Sequence, residues 1–103
     1  MAPLVIPEGF RAIEHSAPFG AHVGPFYEKD VGGALVRAFR VTERHTNAAG
    51  VIHGGMLTTF ADIVLAQAGL REVGGPIVTV RMVSDFVAAG KLGAWVEGTA
   101  RVQ

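Results

Sequence analysis

The 103-residue chain contains no cysteine, which excludes disulfide bonds, thiolate metal sites and cysteine nucleophiles. It also lacks an excess of charge of either sign, since nine lysines and arginines balance nine aspartates and glutamates. Proteins that bind nucleic acid or anionic membranes depend on surplus cations, so we expect neither partner. No apolar run is long enough to span a bilayer, and no signal peptide is recognisable. We therefore expect a soluble, cytoplasmic protein.

Half of the residues are apolar and only 17% are charged, which is typical of an ordered domain. We expect a single domain over residues 1–103, with an irregular or weakly helical lead-in over residues 1–20, where prolines and glycines interrupt every candidate helix or strand pattern. Two extended segments, 22–28 and 34–41, flank residues 30–33. The aspartate and paired glycines of that short stretch predict a hairpin turn.

Residues 51–70 form the most unusual stretch of the sequence. After Gly55 it carries strong helix formers without proline, and Gly69 near its end is suited to a C-cap. Almost no polar face remains, so we expect a helix wrapped by other structure. Residues 77–87 and 94–102 alternate as strands do. The order β-β-α-β-β predicts an α+β fold, with one helix against a curved antiparallel sheet.

Asp62 is the only charged residue in the predicted helix. An unpaired buried carboxylate is costly, and carboxylates in such places often mark functional sites. The alternative is a structural aspartate that Thr58 or Thr59 satisfies from the preceding turn. With Gly55, these residues form a narrow strip on one helix face, open enough for a ligand to approach.

The start of this helix, at His53, Gly54 and Gly55, supplies none of the usual capping residues. We therefore expect its first amide groups to lack a partner within the protein. Such donors, at the positive end of the helix dipole and without a Cβ in front of them, are suited to polarising a carbonyl or holding an oxyanion. The alternative is that the glycines only permit a tight turn.

The remaining candidates carry weaker signals. Asn47 lies in a turn-rich stretch six residues before His53, and its spacing alone favours a simple turn former. His53 is a weak general-base candidate. His45 and His53 match no known ligand spacing, so we expect no metal site. Thr79 by itself is an ordinary strand residue.

Residues 47–55 together with Asp62 resemble the signature N-x-x-G-x-x-H-G-G-x(6)-D of hotdog-fold acyl-CoA thioesterases of the phenylacetate-pathway branch. The likeness extends to residues 7–10, 24–28 and 78–82, and so covers most of the chain. It implies a hotdog fold, in which a curved antiparallel sheet wraps a long central helix, in homodimers or homotetramers. It also implies hydrolysis of an acyl-CoA thioester without metal or cofactor.

The resemblance also implies a role for each matching residue. Gly54 would donate its backbone N–H to the thioester carbonyl, and Asp62 would be the general base or the nucleophile. Asn47 would position the leaving group or the attacking water. His53 would assist at the mouth of the helix, and Thr79 would orient water.

Two expectations concern the assembly and the extent of the chain. Gly54 and Asp62 are eight residues apart, which corresponds to about 12 Å along one helix. One helix cannot easily bring both to one carbonyl, so we expect each site to combine two chains whose helices run antiparallel. Members of the resembling family usually continue with two strands beyond the position of Gln103, so we expect a truncated form.

The same fold also hosts other functions. One alternative is an acyl-CoA-binding module without catalytic activity, which would have no reason to place a carboxylate near the carbonyl. A dehydratase of the same fold is disfavoured, because Asp62 is the only well-placed acid or base in the sequence.

Overall fold

The computed structural model describes residues 5–14 and 17–103 of the chain. Its elements in chain order are β1 (Arg11–Ala12), α1 (Pro18–Val23), β2 (Tyr27–Val31), β3 (Ala34–Arg40), a 3-10 turn (Glu43–His45), α2 (Gly54–Val73) and β4 (Trp95–Gly98). One long helix and an antiparallel sheet confirm the predicted α+β class. Among the described residues, no helix combines the length and hydropathy that crossing a bilayer requires.

The four strands form one open sheet in the order β1-β2-β3-β4, and every neighbouring pair is antiparallel. Strands β2 and β3 form the predicted hairpin, in which Val31 pairs with Ala34. Gly32 and Gly33 make the turn with φ values of 57° and 85°. A two-residue turn with both φ values positive matches the twist of the flanking strands, which explains the glycine pair.

The lead-in and the predicted first strand differ from expectation. The lead-in contains β1 and the beginning of α1, while residues 1–4 and 15–16 lie outside the described part of the chain. The prediction of a strand over residues 22–28 is wrong for all but its last two residues, because α1 continues to Val23 and β2 begins only at Tyr27. Pro18 at the first turn favours this helix, since proline has the φ value that a helix start requires.

The apolar core lies between α2 and one face of the sheet. Its buried members are Phe26, Phe39, Val41, Ile52, Met56, Phe60 and Val64. The Phe39 and Phe60 rings meet edge to face, with centroids 4.8 Å apart. Burial of these side chains and the favourable aromatic geometry hold the helix against the sheet.

Gly98 lets α2 approach β4 closely. A Cβ at this position would lie 2.9 Å from Cε2 of Phe60 and 3.2 Å from Cγ2 of Val64. Both are core side chains, so an added side chain at position 98 must displace them from the places in which they pack.

We therefore expect Gly98→Val to lower the free energy of unfolding by about 1–3 kcal/mol through overpacking. The control is Gly75→Ala, because a Cβ at Gly75 would meet no atom within 4 Å. Urea denaturation of both variants measures the difference. An unchanged midpoint for Gly98→Val would show that α2 does not pack on β4 in this way.

Helix α2 ends later than predicted. Gly74, with a φ of 76°, is the capping residue, and its N–H donates to the Leu70 carbonyl at 2.8 Å. The prediction of Gly69 as the cap is wrong, because Gly69 lies inside the helix. A Cβ there would lie only 2.7 Å from Cδ1 of Ile77, so a close neighbour rather than a left-handed backbone accounts for this glycine.

The predicted strand over residues 77–87 pairs with none of the described strands. This part of the chain, which we name the return segment (residues 77–88), instead runs antiparallel to α2. Three contacts show its course: Ile77 with Gly69, Thr79 with Asp62, and Phe86 with Gly54. It forms no ladder with β4, although β4 is an edge strand of the open sheet and has one side unpaired among the described strands. Val80 is 92% exposed.

The last predicted strand and the wrapping of the helix are also only partly realised. Strand β4 spans Trp95–Gly98 rather than residues 94–102. The sheet covers one face of α2, and Leu65 and Leu70 remain exposed. The complete wrapping that the sequence predicts is therefore not seen in the described residues.

Candidate active site

The N-terminus of α2 is capped by a histidine side chain. Nδ1 of His53 accepts the Gly55 N–H at 2.8 Å, and the His53 carbonyl accepts the Met56 N–H at 2.9 Å. The prediction that the first amides all lack a partner is therefore wrong for Gly55. For the Gly54 N–H, however, the described residues contain no acceptor. One free amide thus remains at the start of a 20-residue helix.

The two glycines after His53 have different structural roles. A Cβ at Gly55 would lie 2.9 Å from Nδ1 of His53, so only glycine lets the imidazole fold back over the helix end. At Gly54 a Cβ would lie 3.6 Å from Cζ of Phe86, which is ordinary van der Waals contact. A glycine is therefore not needed at position 54 to avoid a clash with Phe86. The distinguishing feature of Gly54 is its free N–H.

This free N–H lies at the positive end of the helix dipole. A backbone amide is fixed in direction and needs no reorganisation when charge develops in front of it. The arrangement is chemically suited to a carbonyl oxygen that gains negative charge. The aromatic ring of Phe86 lies beside Gly54, on the side to which a Cβ would point.

Asp62 lies eight residues after Gly54 on α2 and is half-buried. Its Oδ1 accepts a hydrogen bond of 2.5 Å from the Thr79 hydroxyl on the return segment. The alternative, in which a threonine of the preceding helical turn satisfies this carboxylate, is not seen for Thr58, whose hydroxyl donates to the Gly54 carbonyl at 3.0 Å. Thr59 makes no hydrogen bond to Asp62 in the described structure. One carboxylate oxygen is held and the other is available.

Two separate cavities adjoin α2. Thr58 and Phe86, which are neighbours of Gly54, line an apolar cavity of about 530 Å³ between the helix, β4 and the return segment. Asp62 and Thr79 line a different groove of about 420 Å³ between the helix and residues 77–82. The helix end and the carboxylate therefore do not face one common cavity within a single chain.

Asn47 organises the loop before α2. Its side-chain oxygen accepts the N–H groups of Ala49, at 2.9 Å, and Val51, at 3.4 Å. The turn-forming role that its spacing favours is therefore present. No described hydrogen bond joins Asn47 to Asp62 or Thr79.

The structure adds two residues to which sequence reasoning gave no role. His45 is buried beneath the loop that carries Asn47, and Phe86 lies beside Gly54. Neither residue carries a local signal in the sequence. The burial of His45 depends on contacts with the end of α1 and with β3, and the position of Phe86 depends on the course of the return segment. No group of three or more metal-ligating side chains occurs in residues 5–14 and 17–103.

Comparisons with known proteins show the family of the chain. The family model described as "Thioesterase superfamily" matches residues 49–103. "Putative esterase PA0474" of Pseudomonas aeruginosa is 41% identical over 100 residues, which cover 94% of this chain and 75% of that protein. "Acyl-coenzyme A thioesterase 13" of Homo sapiens is 38% identical over 71 residues, 68% of this chain and 51% of that protein. The mouse protein of the same name is 33% identical over 69 residues, 66% of this chain and 49% of that protein.

The chain thus spans three quarters of the Pseudomonas protein and about half the length of the two mammalian relatives. The family model includes the helix start, Asp62 and Thr79, which are the residues that the site geometry singles out. The predicted family is confirmed by these matches, and the chain belongs to the thioesterase superfamily of hotdog-fold thioester hydrolases.

Proposed function

We propose that this protein is an acyl-CoA thioesterase of the phenylacetate-pathway branch, which hydrolyses an acyl-CoA to the free acid and CoA without metal or cofactor. The observation that carries the proposal is the Gly54 N–H, the one amide at the start of α2 that lacks an acceptor among the described residues. The relatives named acyl-coenzyme A thioesterase 13 support the choice of substrate class.

In this proposal the thioester carbonyl oxygen accepts the hydrogen bond from Gly54. Attack on the carbonyl carbon moves negative charge onto that oxygen, where the amide and the helix dipole stabilise it more strongly than in the ground state. His53 assists by accepting the Gly55 N–H, which leaves Gly54 as the free donor. The substrate meets the strip formed by Gly55, Thr58 and Thr59 beside this donor.

Asp62 activates the attacking water as a general base. The Thr79 hydroxyl donates to Oδ1 of Asp62 and retains acceptor capacity, so it orients a water toward the free carboxylate oxygen. The water passes a proton to Asp62, and its oxygen bonds to the carbonyl carbon. The tetrahedral intermediate then breaks its carbon–sulfur bond, and the departing CoA thiolate takes the proton from Asp62. Direct attack by the carboxylate is the alternative, and it would form an anhydride with Asp62.

We further propose that each site combines two chains of a homodimer or of a homotetramer. Gly54 and Asp62 are about 12 Å apart along α2, and Thr58 and Phe86 beside Gly54 line a different cavity from Asp62. Both observations support a site in which Gly54 works with Asp62 of the partner subunit. The side-chain amide nitrogen of Asn47 would position the CoA sulfur or the water from the adjacent loop.

The remaining parts of the proposal concern the setting of the protein. We propose a single domain over residues 1–103 that acts in the cytoplasm, with no nucleic-acid or membrane partner. The absence of cysteine suits a reducing compartment, and the balanced charge offers no general attraction to polyanions.

The test is a panel of short, long and aromatic acyl-CoA substrates, scored by release of the CoA thiol. We expect turnover of at least one class, and its loss in Asp62→Asn. Calorimetric titration with the same compounds runs in parallel. Tight binding of acyl-CoA with no turnover by the native protein would overturn the proposal in favour of a non-catalytic binding module.

A further inference from the structure

His45 is the one polar or charged residue that is buried among the described residues, with 2% of its surface exposed. Its Nδ1 accepts the Thr42 N–H at 3.0 Å, and its Nε2 lies 2.6 Å from the Val23 carbonyl oxygen. Since Nδ1 accepts the Thr42 N–H, the arrangement that fits both contacts has a hydrogen on Nε2, which donates to the Val23 carbonyl. The ring is further held by edge-to-face contact with Phe39, at 5.1 Å between centroids.

The backbone of His45 connects this fixed ring to the start of α2. Its carbonyl oxygen accepts the His53 N–H at 2.7 Å. The neighbouring pair Thr46 and Ile52 forms an antiparallel bridge, so the loop that carries Asn47 is closed at its base. His45 therefore joins the end of α1, the 3-10 turn and the cap of α2.

The next peptide group along the chain contains the Gly54 N–H. The orientation of that N–H depends on the backbone of His53, which His45 holds by one short hydrogen bond on its N-terminal side. On the other side, the imidazole of His53 is fixed by the Gly55 N–H. A catalytic donor must be held within about 0.5 Å of its productive position. The two hydrogen bonds that hold His53 therefore determine how accurately the Gly54 N–H is placed.

We infer that His45 is a positioning residue for the oxyanion donor: its ring, locked between Thr42 and Val23, places the carbonyl that aligns His53 and hence the Gly54 N–H. The inference rests on the proposed function of Gly54. It predicts a specific kinetic pattern, because an interaction made mainly in the transition state changes kcat more than KM.

Three substitutions separate the contributions of the His45 ring. His45→Asn retains an acceptor near Nδ1 for the Thr42 N–H, and His45→Gln retains a donor that can reach the Val23 carbonyl. His45→Phe retains the ring and removes both hydrogen bonds. We expect His45→Phe to lower kcat per folded molecule by about 10- to 100-fold, the range for a misplaced catalytic group, with KM within about threefold. The kcat values of His45→Asn and His45→Gln should fall between those of His45→Phe and the native protein.

A double-mutant cycle with Gly54→Pro gives the decisive readout. If His45 acts through the Gly54 N–H, then His45→Phe should not lower kcat any further in the Gly54→Pro background, where that N–H is absent. An equal loss in both backgrounds, or a loss of thermal stability with unchanged kcat per folded molecule, would overturn the inference and leave His45 a purely structural residue. Should His45→Phe fail to fold, the same cycle is run with His45→Asn and His45→Gln.

A second measurement keeps this inference separate from the proposed function. Amide NMR follows the Gly54 resonance in the native protein and in the three variants, with the Gly69 amide near the C-terminal end of α2 as the control. We expect the Gly54 resonance to move by more than the Gly69 resonance. If the native protein hydrolyses no acyl-CoA but Gly54 shifts as expected, the proposed function fails while the positioning stands. An unmoved Gly54 resonance would overturn the positioning itself.

Discussion

Replacing Gly54 by proline is expected to lower kcat by about 10²–10³-fold, the range measured for loss of one oxyanion donor, while the protein stays folded. Proline has no N–H, and Gly54 is the first residue of α2, where proline is well tolerated. His53 already has φ −67° and ψ 135°, the extended conformation that a residue before proline adopts. Among the described residues, no hydrogen bond of the native structure is lost.

The matched control is Gly54→Ala, which retains the N–H and adds only a methyl group. Its Cβ would lie at ordinary contact distance from Phe86, so we expect kcat within a fewfold of the native value. Thermal melts of both variants confirm that each is folded. Equal kcat values for the proline and alanine variants would show that the Gly54 N–H does not hold the oxyanion.

Asp62→Asn is expected to lower kcat by at least about 10²-fold, the contribution typical of general-base catalysis. Asparagine keeps the shape of the side chain and an oxygen that can accept the Thr79 hydroxyl, so the change removes the charge and little else. The unfolding transition should therefore remain close to that of the native protein. Steady-state kinetics beside thermal melts measures both quantities.

Thr79→Val provides the comparison for this variant, because it removes the hydroxyl donor and leaves the carboxylate in place. We expect a smaller loss of kcat than in Asp62→Asn. The general base remains, and only the orientation of the carboxylate and of the attacking water is less well fixed. If Asp62→Asn retains nearly native kcat per folded molecule but melts earlier, Asp62 has a structural role and the catalytic assignment is wrong.

The local parts of the fold could be predicted from the sequence because short-range chemistry determines them. The Gly32–Gly33 hairpin follows from the positive φ values that its turn needs, and α2 follows from a proline-free run of helix formers. The end of α2 could not be located, because Gly69 and Gly74 offer the same local signal. The positive φ of Gly74 and the contact of Ile77 with Gly69 distinguish the cap from the close approach, and both depend on the folded chain.

In the candidate site, too, some features could be predicted from the local sequence and others depend on tertiary contacts. Gly54 and Asp62 stand out in the sequence by their setting in an apolar helix with an open start. The partnership of Asp62 with Thr79 spans 17 residues and depends on the course of the return segment. His53 was expected to leave the helix uncapped, because the usual capping side chains are short and oxygen-bearing, yet its imidazole nitrogen serves as the acceptor.

The central claim is that one thioester is held by Gly54 of one chain and hydrolysed with the help of Asp62 of the partner subunit. Its most direct test combines Gly54→Pro and Asp62→Asn chains, each inactive alone, which are unfolded together in equal amounts and refolded. If sites are shared, each mixed dimer has one site with both defects and one with neither. Half of the dimers are mixed, so about a quarter of native activity should return. If mixed dimers form and activity stays at the level of the two single variants, each site lies within one chain and the claim is contradicted.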